Sequence, residues 1–264
     1  MKVYISADIE GVTGVTHWDE TEQSKSVYEA AREQMTAEVI AACEGALRAG
    51  ADEILVRDAH DSARNLPANR LPRQARLVRG WGGHPFFMMQ ELDGSFACAA
   101  LIGYHAFAGS GGNPLSHSMS LNVYRMELNG LPASEFLFSA YTAGYVKTPL
   151  VFLSGDQGIC SHAAALHPNL VSVAVKHGVG DSTVSLHPDV AVELIREGME
   201  AAVRSAGRCH VTLPEHFMLD VHYRSHIKAY QCGFFPGAVQ LDDTTVRFEH
   251  RDFFEVLRFM AFCS

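Results

Sequence analysis

The chain has 264 residues, of which 47% are hydrophobic and 19% charged, and a formal net charge of -9. Those values belong to a folded protein with a substantial core and argue against disorder. The acidic balance, with no Lys or Arg cluster longer than a pair, argues against a nucleic-acid or anionic-membrane surface and leaves a small substrate or another protein as the expected partner.

The opening segment reaches an acidic residue at Asp8, too soon for a signal peptide. No later segment is a continuous apolar span long enough for a bilayer, so a cytoplasmic protein is expected. Six scattered cysteines, Cys43, Cys98, Cys160, Cys209, Cys232 and Cys263, include no Cys-x-x-Cys pair and are expected to be buried free thiols. Fourteen histidines invite a search for metal ligands.

The run Met1 to Ile5 has the composition of a buried strand and leads into Ser6-Ala7-Asp8-Ile9-Glu10-Gly11. Side chains two apart on a strand share a face, so Asp8 and Glu10 are expected to point the same way, and two like charges so close require a cation or a proton. Ser26 to Ala49 carries apolar residues at helical spacing and stops at Gly50. Glu53 to Asp58 is a second strand, which a right-handed crossover makes parallel to the first, and it ends in Asp58-Ala59-His60-Asp61. Arg64 to Arg79 is expected to be loop with a small strand near its end.

Phe96 to Gly103 is apolar throughout, as in a central strand covered on both faces, and exits into Tyr104-His105-Ala106. Val123 to Leu128, Asn129-Gly130 and Leu131 onward spell a hairpin with a type I′ turn. Ser134-Glu135 opens a helix to Gly144, and Thr148 to Ser154 is another buried strand, followed by Gly155-Asp156. Between His162 and Val184 the pattern predicts short strands and loops. Asp189 to Ser205 is a helix entered through Pro188. From residue 210 to 264 the character changes: Phe217 to His222 alternates in polarity, a short helix covers Ser225 to Gln231, and Arg251 to Cys263 forms a last helix. The fold class is therefore α/β, a mainly parallel sheet with flanking helices, in a single domain over residues 1–264 with a smaller C-terminal β-containing subdomain.

Polar residues collect at the strand ends, where open α/β sheets keep their chemistry. Asp8, Glu10, His60, His105 and Glu135 offer carboxylate and imidazole donors suited to Zn²⁺, enough for a cage around two ions, and His117 lies nearby in chain order. Each alone has a structural explanation: a His past a strand is commonly just hydrogen-bonded, and a Glu opening a helix favours the macrodipole. Asp58 and Asp61 are candidates to orient His60, since a ligating His gives its other N–H to a carboxylate or carbonyl. Gly11-x-x-Gly14 lacks the third glycine of a dinucleotide fingerprint, and Ser116 and Ser118 adjoin His117 too closely for a Ser-His pair.

Ser6-Ala7-Asp8-Ile9-Glu10-Gly11, Asp58-Ala59-His60, Gly103-Tyr104-His105-Ala106 and Ser116-His117-Ser118-Met119 together resemble the M55 peptidase family, the zinc-dependent D-aminopeptidases. The resemblance extends along essentially the whole chain. It implies two zinc ions per subunit, bridged by Asp8, one completed by Glu10 and His60 and the other by His105 and Glu135. It assigns His117 a place beside the metals, for proton transfer or stabilisation of the tetrahedral intermediate. It further implies a small peptide substrate with a free N-terminus, a preference for D-amino acids, and a homo-oligomer, a decamer with an internal chamber. Two alternatives stay open: a metal-dependent hydrolase of another bond, such as a cyclic amide or phosphoester, and a non-catalytic peptide-binding protein.

Overall fold

A computed structural model describes residues 1–264. Its main sheet has seven strands: β1 (Lys2–Ala7), β2 (Glu53–Asp58), β3 (Ala75–Val78), β4 (Cys98–Tyr104), β7 (Leu150–Asp156), β8 (Val171–Val179) and β9 (Ser182–Ser185). A second, five-stranded antiparallel sheet holds β5 (Val123–Leu128), β6 (Leu131–Pro132), β10 (Phe217–Tyr223), β11 (Ala238–Gln240) and β12 (Thr245–His250). The helices are α1 (Tyr28–Arg48), α2 (Glu135–Tyr145), α3 (Gln157–Leu166), α4 (Pro188–Arg204), α5 (His226–Cys232) and α6 (Phe253–Cys263).

The main sheet runs β3-β2-β1-β4-β7-β8-β9 and is parallel except for the β8–β9 pair. From β1 the chain winds outward one way to β2 and β3, then returns to place β4 on the other side of β1. The carboxyl ends of β1 and β4 thus flank the point where winding reverses, the place where such sheets open a crevice.

Alternation decides which face each residue covers. Val3, Ile5 and Ala7 of β1, with Cys98, Ala100 and Ile102 of β4, pack under α1 and α4; Tyr4, Ala99, Leu101, Leu150 and Leu153 pack on the opposite side, under α2 and α3. Helix α1 presents small residues, Ala42, Gly45 and Ala46, to α4, and a Cβ on Gly45 would stand 2.4 Å from the Arg196 carbonyl oxygen, so the two helices touch backbone to backbone. Helix α2 serves both sheets at once. Phe136, Ala140 and Ala143 enter the core of the first, and Leu137 and Phe138 enter that of the second.

One expectation changes. Helix α3 runs into the start of a stretch read as strands and loops. Ala163, Ala164, Ala165 and Leu166 in its second half are strong helix formers, while Gly158 in its first half is not, and the start is set by Asp156 capping Ile159 N at 2.8 Å and by burial of Ile159 and Cys160. The antiparallel sheet also draws on residues before 210, because β5 and β6, from residues 123–132, pair beside β10. Their turn has φ of 53° at Asn129 and 77° at Gly130, the left-handed pair a type I′ hairpin needs.

All six cysteines are buried and unpaired. Burial pushes the Cys43, Cys98 and Cys160 thiols up to about 12. A chromogenic disulfide reagent at pH 8 is therefore expected to label none of the six in the native protein and all six in denaturant; a thiol labelled at the rate of free cysteine without denaturant would contradict the burial.

Candidate metal centre

The structure brings all six sequence-predicted residues to one end of the main sheet. Strand β1 stops at Ala7, so Asp8 and Glu10 lie in a turn rather than on a shared strand face, and the turn is fixed by Ile9 N donating to Asp8 Oδ1 at 2.9 Å. Both carboxylates nevertheless face His60, whose Nδ1 stands 3.4 Å from Asp8 Oδ1 and 3.1 Å from Glu10 Oε2. On the other side His105 Nε2 lies 3.5 Å from Asp8 Oδ2 and 3.2 Å from Glu135 Oε2. Asp8 therefore turns one oxygen toward His60 and the other toward His105. Donor atoms of Asp8, Glu10 and His105 lie within 4.8 Å of one another, as do those of His105, His117 and Glu135.

The turn after β1 and the end of β4 interlock without space for side chains. Gly11 N donates to the Gly103 carbonyl at 2.8 Å, and Asp8 N to that of Ile102 at 2.8 Å. A Cβ on Gly11 would fall 1.8 Å from the Tyr104 carbonyl oxygen. Gly103, at φ +72°, would carry one 2.3 Å from the Asp8 oxygen. Glycine at these two positions lets the Asp8-Glu10 turn sit directly against the strand that delivers His105.

Glu135 arrives from α2, capped by the Ser134 hydroxyl, which accepts from Leu137 N at 3.1 Å. Its Oε1 accepts from Met119 N at 2.8 Å and lies 3.5 Å from His117 Nε2. The His117 ring stacks on His105, with centroids 4.3 Å apart and planes 9° from parallel.

Each imidazole is held by a backbone carbonyl. His60 Nε2 donates to Thr21 O at 2.8 Å, His105 Nδ1 to Ala106 O at 3.0 Å and His117 Nδ1 to Leu115 O at 3.0 Å, which leaves the other nitrogen of each ring free to face the carboxylates. Neither Asp58 nor Asp61 plays the orienting part expected of it. Asp58 accepts from Asn65 and Leu66 and shapes the loop after β2, because that loop folds back over the strand end and its buried amides need an acceptor; Asp61 is exposed and forms no hydrogen bond or ion pair with His60. A distant carbonyl such as that of Thr21 leaves no trace in a sequence, since every residue carries one.

The electrostatics follow from burial. Burial raises the Asp8 carboxyl well above its ordinary value, and the Glu10 charge adds to the effect. Burial works the same way on Glu10, but the His60 ring overcomes it and holds Glu10 well below the usual carboxylate range. For Glu135 burial is likewise overcome, by His105 and His117, leaving it at about 2. Burial disfavours the charged form of His105, yet Glu135 outweighs it and lifts the ring to about 10. Glu10 Oε2 and His105 Nε2 are buried without a hydrogen-bond partner, although a charged group stands near each. Three buried carboxylates and two buried imidazoles, with two donor atoms unspent, fit divalent cations of the borderline N/O-binding kind.

Asp8, Glu10, His60, His117 and Glu135 line a cavity of about 450 Å³. Trp18, Trp81, Phe87, Met88 and Met119 form apolar walls, Glu22 and Asp61 add carboxylates, and no Lys or Arg takes part. Trp81 is set by the fully buried Arg57, whose guanidinium lies 4.3 Å from the indole ring. Phe87 and Met119 both adopt left-handed backbone, at φ of 47° and 63°, a strain concentrated in the wall.

Three comparisons bear on the identity of this site. The family model Peptidase M55, described as D-aminopeptidase, matches residues 1–262. The D-aminopeptidase of Bacillus subtilis (strain 168) is 32% identical over 263 residues, covering 98% of this chain and 95% of its own. Among solved structures, the Zn-dependent D-aminopeptidase DppA from Bacillus subtilis, titled a self-compartmentalizing protease, superposes with a TM-score of 0.94 at 30% identity, over 100% of this chain and 96% of that one.

Two outcomes follow from the geometry. Gly11→Ala is expected to destabilise the ion-free protein by at least about 2 kcal/mol and to abolish metal binding, because the displaced turn carries two donors; urea unfolding with metal analysis checks both. The raised His105 gives a pH dependence. Its protonated ring stabilises the ion-free fold fully below its ordinary value of about 6.5, and that contribution is lost as pH rises through about 10. A cation must displace the same proton, so its affinity should climb with pH between 6.5 and 10 while ion-free stability declines. Chelator-competition titrations that give a flat affinity would contradict this.

Proposed function

The chain belongs to the M55 peptidase family, the D-aminopeptidases, and on that premise we propose that it is a zinc-dependent aminopeptidase. It removes the N-terminal residue from short peptides or amides, with a preference for the D configuration. The observation that carries the reading is the pair of unspent donors, Glu10 Oε2 and His105 Nε2, beside Asp8, whose two carboxylate oxygens face His60 and His105 in turn. Two ions would be held with Asp8 between them, one by Glu10 and His60, the other by His105 and Glu135.

Zinc, when bound, supplies Lewis acidity and a nucleophile available near neutral pH. The chain's own residues do the rest. His117 projects its Nε2 into the cavity from a ring fixed at Nδ1, stands beside Glu135, and is placed to give a proton to the departing amine. The Trp18, Trp81 and Met119 walls limit water around the scissile bond. Glu22 and Asp61, in a cavity lined by no Lys or Arg, are matched to a substrate ammonium, which favours peptides with a free N-terminus. No serine nucleophile is required.

We further infer a homo-oligomer, in keeping with the self-compartmentalizing relative, and a decamer on the family resemblance; exposed Ile227, Tyr230, Phe234 and Phe262 provide apolar surface for such contacts. Six unpaired thiols suit a cytoplasmic enzyme, and no helix is long and apolar enough to cross a membrane.

Asp8→Asn is expected to lose both metal and activity. His117→Ala should lower turnover by about 10²–10⁴-fold with zinc content unchanged, and equal zinc loss in the two variants would remove His117 from the proton-transfer role. D-Ala and L-Ala p-nitroanilides and dipeptides, assayed with and without zinc, should show zinc-dependent cleavage faster for the D forms. No amide hydrolysis in any of them would reject the aminopeptidase reading.

A further inference from the structure

Lys176, on β8, is buried with 3% of its surface exposed and forms no salt bridge. Its ammonium donates instead to two backbone carbonyls, those of Glu10 and Val15, on the turn that follows β1. No carboxylate stands at salt-bridge distance, although Asp156, Glu38 and Glu10 are near enough to favour the charge that burial opposes, so the two carbonyls are the direct partners of this buried cation. The Glu10 carbonyl receives a second donor, Asn113 Nδ2 at 2.9 Å. The same amide nitrogen reaches Asp156 Oδ2 at 3.0 Å, and that oxygen also accepts from Ala106 N at 2.8 Å, next to His105. A continuous buried chain thus runs from Lys176 through the Glu10 carbonyl, Asn113 and Asp156 to the residue after His105. It joins two of the segments that carry the cage, the turn with Asp8 and Glu10 and the end of β4 with His105, and none of its side chains is among the candidate ligands.

We propose that Lys176 is a positioning residue for the zinc centre: by gripping the Glu10 carbonyl from behind, it fixes the backbone from which the Glu10 carboxylate reaches the ion it shares with Asp8 and His60. The inference rests on Glu10 being a zinc ligand. Preorganisation of this kind is spent on affinity, since a donor already in place loses little freedom on binding. Lys176 therefore governs how tightly one of the two ions is held, through Glu10 alone.

The test is a double-mutant cycle on the full-length chain, read as zinc affinity by competition with a chromophoric chelator. Lys176→Met should weaken one zinc by about 10–100-fold and leave the other within about twofold. Glu10→Gln should weaken the same zinc, and Lys176→Met added to Glu10→Gln should cost nothing more. A further loss in the Glu10→Gln background, or uniform loss at both ions, would mean a general structural role and overturn the proposal. If Glu10→Gln leaves both affinities unchanged, the ligand assignment itself fails; if Glu10→Gln weakens zinc and Lys176→Met does not, only the role of Lys176 fails. Should Lys176→Met not melt cooperatively, Lys176→Gln decides, because it keeps a polar group but shortens the reach toward the Glu10 carbonyl: loss confined to the same zinc supports the proposal, and unchanged affinity overturns it.

Discussion

Three carboxylates, those of Asp8, Glu10 and Glu135, are packed almost without solvent at the carboxyl edge of a parallel sheet. Negative charge removed from water is tolerated only where cations or protons answer it. Here the answer is partial: His60 and His105 take up part of the charge, and two donor atoms stay unmatched. The centre is assembled against its own electrostatics, and the surrounding fold has to supply what holds it together.

That work is shared among parts whose local sequences are unremarked by chemistry. The β1 and β4 ends meet over glycines, because a single Cβ at Gly11 would occupy the space of the Tyr104 carbonyl. Helix α2 is anchored on two cores, one under each sheet, so Glu135 cannot shift without disturbing both. The loop after β2 is tied by Asp58 to Asn65 and Leu66, and Asn65 in turn donates to the His60 carbonyl at 2.8 Å. Lys176 and Asn113 secure the remaining segment from the side of β8. Donor atoms are thus placed by rigid backbone and reach the cage with few rotatable bonds left to fix, the arrangement a tight and ordered metal site requires.

The second sheet has a different bearing on the chemistry. It contributes no donor, yet it supports α2 and closes the cavity through the Met119 region, which leads into β5. Because β5 and β6 precede α2 and β10 to β12 come last, the chain must return across the whole molecule to complete this layer. The metal centre is therefore coupled to residues more than a hundred positions away, through packing and not through contact with the ions.

The amino-acid sequence alone determined most of the frame. Buried central strands announce themselves as unbroken apolar runs, helices α1, α2 and α4 by spacing and caps, and the Asn129-Gly130 hairpin by its demand for left-handed backbone; the candidate donors Asp8, Glu10, His60 and His105 are acids and histidines just past strand ends, and Glu135 opens a helix. These features are local, set by a residue and its near neighbours. Other features depended on contacts across the chain. Helix α3 has its strong helix formers only from Ala163 to Leu166, and its start is set by the Asp156 cap and by burial of Ile159 and Cys160. The carbonyls that orient His60, His105 and His117, the Asp58 loop brace, the Lys176 grip and the union of β5 with β10 are likewise decided only in three dimensions. A backbone carbonyl is the same chemical group at every position, so only the tertiary fold selects which one meets a given side chain.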